Sequence, residues 1–387
     1  MKNRVLLLAA HSPIPTLHGG SLDVKGLKEV LEYMGHEVLT LSFNETGESY
    51  PHKEIFNNRR KSPITWRILF GLTPWQNSSR RLSREQIKIA RDYRPDIVVC
   101  VQEYVLDALR RLKLEISWEK TVLRRANCEE EYLKAIRSNA SLSYKVYLTL
   151  EILRLKVLLR KWSSEKVDEI WDISPKIYGL EKFQNILTGP FFPEFTSKNE
   201  IRSKESQRTV FTILHIGNLG IPHAQQGLIW FMREVWPDVI SSNPDVKFVL
   251  AGRNPSRKVT SLAESSGVNL IPNPDNLLNI FQEASIFVNP VFEGSGVNMK
   301  LAEPAVLGIP IVSTTFGARG YEALGDAIDL ADSANEFREQ ILKHKALWRE
   351  GLEGKQRNSS SHELLYLSAQ AESLKKQSKV FEISEEL

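Results

Sequence analysis

The order of apolar runs along this 387-residue chain predicts an α/β fold of two doubly wound, Rossmann-like domains. Three observations predict it. Short apolar runs of strand length alternate with longer stretches of helical spacing in both halves. A polar, charged stretch interrupts that alternation over residues 196–207. The length also suffices for two domains of ordinary size, each with its own core. The expected parts are a first domain over 1–190, a linker over 191–208, a second domain over 209–345 and a tail over 346–387.

In the first half, Arg4–Ala10 reads as a strand. Two early cations ahead of an apolar run resemble a signal peptide, but the run is only six residues long and stops at His11-Ser12-Pro13. Leu22–Met34 reads as a helix, Glu37–Ser42 as a strand, Arg84–Tyr93 as a helix, and Asp96–Val101, Lys120–Arg124 and Glu169–Ile173 as strands. Ser143–Trp162 has helical spacing, with Leu148, Ile152, Leu155 and Leu159 on one face and Lys145, Arg154, Lys156, Arg160 and Lys161 on others. A core helix with snorkelling cations is the preferred reading over a membrane-surface helix. Gly189-Pro190 and the charged residues 196–207 break the pattern.

The second half repeats the alternation. Val210–Ile216, Val246–Ala251, Asn269–Ile271, Ile286–Val288, Ile309–Val312 and Ala327–Leu330 read as strands. Gln225–Val235, Ser256–Ser265, Asn276–Ala284, Val297–Leu307 and Ala334–Lys345 read as helices. The tail is either helical over Glu363–Ser378 or disordered.

The stretch Ile286–Thr315 carries the chemistry. Between two buried strands, Gly294, Ser295 and Gly296 form a loop opening a helix, an arrangement that offers bare N–H groups to an anion. Glu303 is expected about two turns into that helix, where a carboxylate can accept from a pair of sugar hydroxyls. Gly217-Asn218-Leu219-Gly220 follows an earlier strand, but it lacks the third glycine and the acidic partner of a dinucleotide fingerprint, which disfavours NAD.

These residues resemble the retaining glycosyltransferases of family 4, whose GT-B fold sets two Rossmann-like domains facing each other across a cleft. The motif positions are Gly294, Ser295, Gly296, Lys300 and Glu303, then Gly308, Pro310, Ile311, Val312 and Thr314, then Gly317 and Gly320. The resemblance implies that Glu303 holds the ribose of a nucleotide-sugar donor and that Gly294–Asn298, through Val297, face its diphosphate and sugar. Gly217, Asn218 and Arg253 complete the expected donor site, and the resemblance also implies a tail, over 346–387, that crosses back to the first domain. His18, Gly19 and Gly20, with Asn127 and Glu129 of an R-x-N-x-E segment starting at Arg125, form the expected acceptor side.

The departures are specific. Many members place a further glutamate where this chain has Ser295, so Glu293 is the candidate substitute. Pro304 replaces an alanine, Gln102 and Glu103 stand where a cleft histidine is usual, and Asn218 and His223 stand near positions that often hold an arginine and a lysine. Lys300 is therefore the expected partner of the departing phosphate, ahead of Arg253 and Arg319. Lys300 and Glu293 are the candidate catalytic residues.

Composition limits the alternatives. An apolar fraction of 42% with 25% charged residues belongs to a globular chain, and no apolar run reaches the ~18 residues a bilayer span needs. Cys100 and Cys128 form neither a disulfide framework nor a metal-ligand spacing, which points to the cytoplasm. Residues 51–166 hold 25 Lys and Arg against 13 Asp and Glu, a local excess that fits either a solvated face or attraction to an anionic surface or acceptor. The expected activity is metal-independent transfer with no cofactor, from a nucleotide sugar to a glycan or lipid-linked acceptor, in the cytoplasm or against the inner membrane face, with no nucleic-acid partner. A non-catalytic glycosyltransferase-like subunit and a nucleotide-sugar epimerase of the same fold are the alternatives.

Overall fold

The first strand shows why both halves read as apolar runs. In β1 (Arg4–Ala9), Val5, Leu7 and Ala9 enter one core while Leu6 and Leu8 enter another, so both faces of the strand are covered. Such burial is the mark of a parallel sheet between two helical layers.

A computed structural model describes residues 2–13, 19–44, 54–58, 74, 80–125, 129–138, 142–162, 167–173, 185–188, 190–191, 209–220, 222–274, 277–294, 297–321, 328–351 and 367–381. The chain forms two compact units: Met1–Pro193 with Ser295–Val297 and Leu367–Leu387, and Glu194–Gly294 with Asn298–Tyr366.

The sheet of the first unit contains β1, β2 (Glu37–Asn44), β3 (Glu54–Asn58), β4 (Ile97–Val101), β5 (Lys120–Arg125), β6 (Glu169–Asp172) and β7 (Asn185–Leu187), all parallel, in the order β3-β2-β1-β4-β5-β6-β7. β3 and β7 are short and were not legible as apolar runs. Helix α1 (Gly19–Tyr33) follows β1, and α2 (Arg84–Tyr93), started by a Ser83–Gln86 capping box, precedes β4. α3 (Leu106–Lys113) joins β4 to β5, while α4 (Glu129–Ser138) and α5 (Leu142–Trp162) join β5 to β6.

The second unit has six parallel strands: β8 (Thr212–Asn218), β9 (Lys247–Arg253), β10 (Asn269–Pro272), β11 (Ile286–Asn289), β12 (Ile311–Ser313) and β13 (Ile328–Leu330), ordered β10-β9-β8-β11-β12-β13. Helix α6 (Pro222–Trp230) continues through a π turn, Phe231–Val235, into α7 (Trp236–Ser242). The turn precedes Pro237, which has no N–H for the carbonyl of Arg233. α8 (Arg257–Ser265) and α9 (Leu278–Glu283) serve the next crossovers, and α11 (Ala334–Arg349) closes the sheet. Phe231 packs edge-on against Phe248 and Phe337 at 5.2 and 5.8 Å between ring centres, making an aromatic centre to this core.

Helix α12 (Leu367–Gln377) belongs to the first unit. Its Ala371 and Leu374, with Val380, share a core with Val24, Leu27 and Leu31 of α1. Buried Glu169 fixes it in place, accepting from Ser378 Oγ at 2.7 Å, the Lys379 N–H at 2.7 Å and Trp171 Nε1 at 2.9 Å.

In both sheets the direction of winding reverses beside the first strand, between β1 and β4 and between β8 and β11. Ligands of such sheets bind at the carboxyl ends of the strands at that reversal.

Candidate active site

In the second unit this reversal places Gly217 and Asn218 beside the segment that leaves β11. That segment departs from the expected single helix over Val297–Leu307. It forms a 3₁₀ turn, Met299–Leu301, and then α10 (Ala302–Val306). Pro304 explains the break: its ring and missing N–H exclude it from a helix interior but suit the first turn, where N–H groups have no intrahelical partner. Glu303 consequently lies in the first turn of α10, and Lys300 in the 3₁₀ turn before it.

Both groups are partly buried and uncompensated. Among the described residues, neither the Glu303 carboxyl nor the Lys300 ammonium has a hydrogen-bond or ion-pair partner. Burial pushes Glu303 up to about 7 and Lys300 down to about 8.

His215, which sequence reasoning missed, stands beside Lys300. It is 3% exposed in the interior of β8, and its Nδ1 lies 2.8 Å from the Val288 carbonyl of β11. A carbonyl only accepts, so Nδ1 carries the proton and Nε2 is left with its lone pair. Burial, with Lys300 nearby, holds the imidazole neutral, at about 3. A Cβ placed on Gly217 would sit 3.5 Å from His215 Nε2 and 3.6 Å from Lys300 Nζ. An acceptor nitrogen and an ammonium thus converge on a position where glycine leaves open space. The available signal was a histidine two residues before a glycine at a strand end.

A hydrogen-bond network supports this segment from below. Asn298 Nδ2 donates to the Gly317 carbonyl at 2.9 Å, and Tyr321 Oη to the Asn298 carbonyl at 3.0 Å. The Gly317 N–H donates to Thr314 Oγ1 at 2.9 Å, and Thr314 Oγ1 to the Val291 carbonyl. Asn289 Nδ2 donates to Ser313 Oγ at 2.9 Å.

The other expected donor residues are placed as follows. Gly294 has φ +139°, and Glu293 beside it is exposed. Val297 and Asn298 are partly buried, while Ser295 and Gly296 lie outside the described residues. Asn218 accepts the Gly220 N–H at 3.1 Å and so holds its own turn. Arg253 ends β9 and is exposed, whereas the Arg319 guanidinium stacks at 3.5 Å on Phe316.

In the first unit, Gly19 and Gly20 open α1 and Glu129 opens α4; His18 and Asn127 lie outside the described residues. Glu129 is buried, takes a hydrogen bond from Tyr104 and is pushed up to about 8, chiefly by burial. Arg80 lies over the Tyr104 ring at 4.8 Å and donates from Nε to the Ala10 carbonyl at 3.3 Å. Glu103 is buried and pushed up to about 7 by desolvation, and Gln102 before it adopts φ +74°. Arg125 is committed to Asp172 through two 2.7 Å bonds. This cluster of neutralised carboxyls and cations gathers at the carboxyl edge of β1, β4 and β5.

Residues 210–344, the second unit's sheet and helices, match the family model described as glycosyl transferases group 1. This unit is similar to the group 1 glycosyltransferases. Over 362 residues, 88% of this chain and 90% of its own, a Klebsiella pneumoniae protein described as an uncharacterized 44.6 kDa protein in the cps region is 28% identical. The structure of a glycosyltransferase from Rickettsia africae superposes with a TM-score of 0.60 at 12% identity, covering 99% of this chain and all of the other. Anabaena HepE, in complex with UDP and glucose, superposes with a TM-score of 0.58 at 12% identity, over 97% of this chain and 98% of its own. The fold is that of the GT-B glycosyltransferases.

Proposed function

We propose that this chain is a retaining, metal-independent glycosyltransferase of family 4, moving a sugar from a nucleoside diphosphate donor to a glycan or lipid-linked acceptor. The observation that carries the reading is the pair Lys300 and Glu303, three residues apart and without a charge partner among the described residues, beside a sheet's reversal point. The Glu303 carboxylate accepts hydrogen bonds from two ribose hydroxyls. The diphosphate lies against the backbone of Gly294–Val297, with Gly217 leaving room for it. As the bond from the anomeric carbon to the phosphate oxygen breaks and the acceptor oxygen bonds to that carbon, its proton passing to the departing phosphate oxygen, charge grows on the phosphate, and Lys300 with the loop amides stabilises it. Glu293 takes the part of the carboxylate that relatives place at Ser295.

The first unit supplies the acceptor side through Gly19, Gly20 and Glu129, together with His18 and Asn127. A protonated Glu129 can donate to an acceptor hydroxyl. The UDP-and-glucose complex of Anabaena HepE and the cps-region relative support a nucleotide-sugar donor and a role in glycan biosynthesis. The protein works in the cytoplasm, with its basic first unit against the inner face of a membrane; no described helix is long and apolar enough to cross one. The test is a panel of nucleotide sugars assayed for released nucleotide with and without glycan and lipid-linked acceptors. Acceptor-dependent release with retained anomeric configuration is expected; conversion of the nucleotide sugar without acceptor would replace transfer with epimerisation.

A further inference from the structure

Helix α5 has two apolar faces, and the core uses one. Leu148, Ile152 and Leu155 are buried. On the opposite side, at steps of three and four residues, Leu142, Val146, Leu150, Leu153 and Val157 are 80%, 59%, 37%, 54% and 39% exposed. At about 100° per residue these five lie within an arc of roughly 80°. Scattered exposed leucines are ordinary; a continuous stripe along four turns marks an interaction surface.

The charges beside the stripe select the partner. From Lys145 to Lys161 the helix holds Lys145, Arg154, Lys156, Arg160 and Lys161 against one acid, Glu151. That acid is buried and paired with Arg154 at 2.6 Å. Glu130 of the neighbouring α4 answers Lys156 at 3.0 Å and Lys134 at 2.6 Å, and Lys145 is exposed. A second copy laid against this face would bring like charges together with no exposed acid on the helix to meet them. An anionic bilayer would meet both the stripe and its cationic border.

We propose that the Leu142–Val157 stripe of α5 seats the first unit on an anionic lipid surface, its five apolar side chains entering the boundary between headgroups and acyl chains. The proposal rests on the membrane-facing reading above and names the element that carries it.

The experiment uses the full chain with vesicles of phosphatidylcholine alone and with phosphatidylglycerol added. Wild type is expected to float with the mixed vesicles, and a V146E/L150E/L153E variant to bind them at least about tenfold more weakly, as three charges enter an apolar contact. A fluorophore on Val146→Cys is expected to shift to the blue with the mixed vesicles alone. Binding of the donor nucleotide, which needs neither acceptor nor vesicle, should be unchanged in the triple variant. Equal binding by wild type and variant would overturn the stripe while leaving the basic unit as the membrane contact. No binding by wild type would overturn both. A dimer that the variant converts to monomer, with vesicle binding intact, would overturn the lipid partner in favour of a second copy.

Discussion

At the scale of single residues, burial acts on Glu303 and Lys300 in opposite directions, and the carboxylate and ammonium coexist only in a narrow range. Glu303 ionises as pH rises through about 7, and Lys300 loses its proton above about 8. Donor affinity measured by calorimetry should therefore climb through the first value and fall beyond the second. The sign for stability is the reverse for Glu303: its folded value is raised, so ligand-free stability is lost as pH climbs from the ordinary carboxylate range through about 7. Glu303→Gln should melt higher than wild type at pH above that value, yet Glu303→Ala should bind donor about 2–4 kcal/mol more weakly in a folded protein. Lys300→Ala is expected to lower turnover roughly ten- to a thousandfold, with a smaller effect on binding of the bare nucleoside, in single-turnover assays. Unchanged turnover would exclude Lys300 and leave Arg253. Lys300 and Glu303 were legible because a glycine loop, a lysine and a glutamate stand at fixed spacing in one stretch. His215 was not, because its tautomer is set by Val288, 73 residues away on another strand.

The elements that carry these residues are held by hydrogen bonds more than by helix length. Gly317 sits where a side chain would meet Asn289 Nδ2 at 2.5 Å, Ser313 Oγ at 2.7 Å and Thr314 Oγ1 at 2.9 Å, three members of one buried network. Gly317→Ala should destabilise the second unit by about 1–3 kcal/mol in chemical denaturation, by overpacking that network. It should also weaken donor binding, since the Gly317 carbonyl anchors Asn298, two residues before Lys300. Wild-type stability would show that the network yields without cost. The sequence located this segment but overestimated its helix, because Pro304 admits two outcomes: a kinked long helix or a late start. Neighbouring side chains decide between them, and periodicity does not contain that information.

For the whole molecule, the doubly wound class of both units followed from apolar runs because strands covered on both faces need no alternation to be recognised. The short β3 and β7, at the edges of the first sheet, left no comparable trace. The tail was ambiguous because Glu363–Ser378 is polar overall, and the few apolar residues that dock it, Ala371 and Leu374, gain meaning only beside α1. A chain ending at Tyr366 should show this in calorimetry: the transition of the first unit falls, since Glu169 loses the Ser378 and Lys379 donors at about 1–3 kcal/mol for each unmet bond, while that of the second unit stays in place. The placement of α12 also imposes an order in time. Residues of the second unit emerge from the ribosome before Leu367 exists, so the first unit, although begun earlier, is the later of the two to close its core. Until Leu367–Gln377 has been made, Val24, Leu27 and Leu31 of α1 lack the cover that α12 will give them, and chaperones have a defined interval in which that face is available.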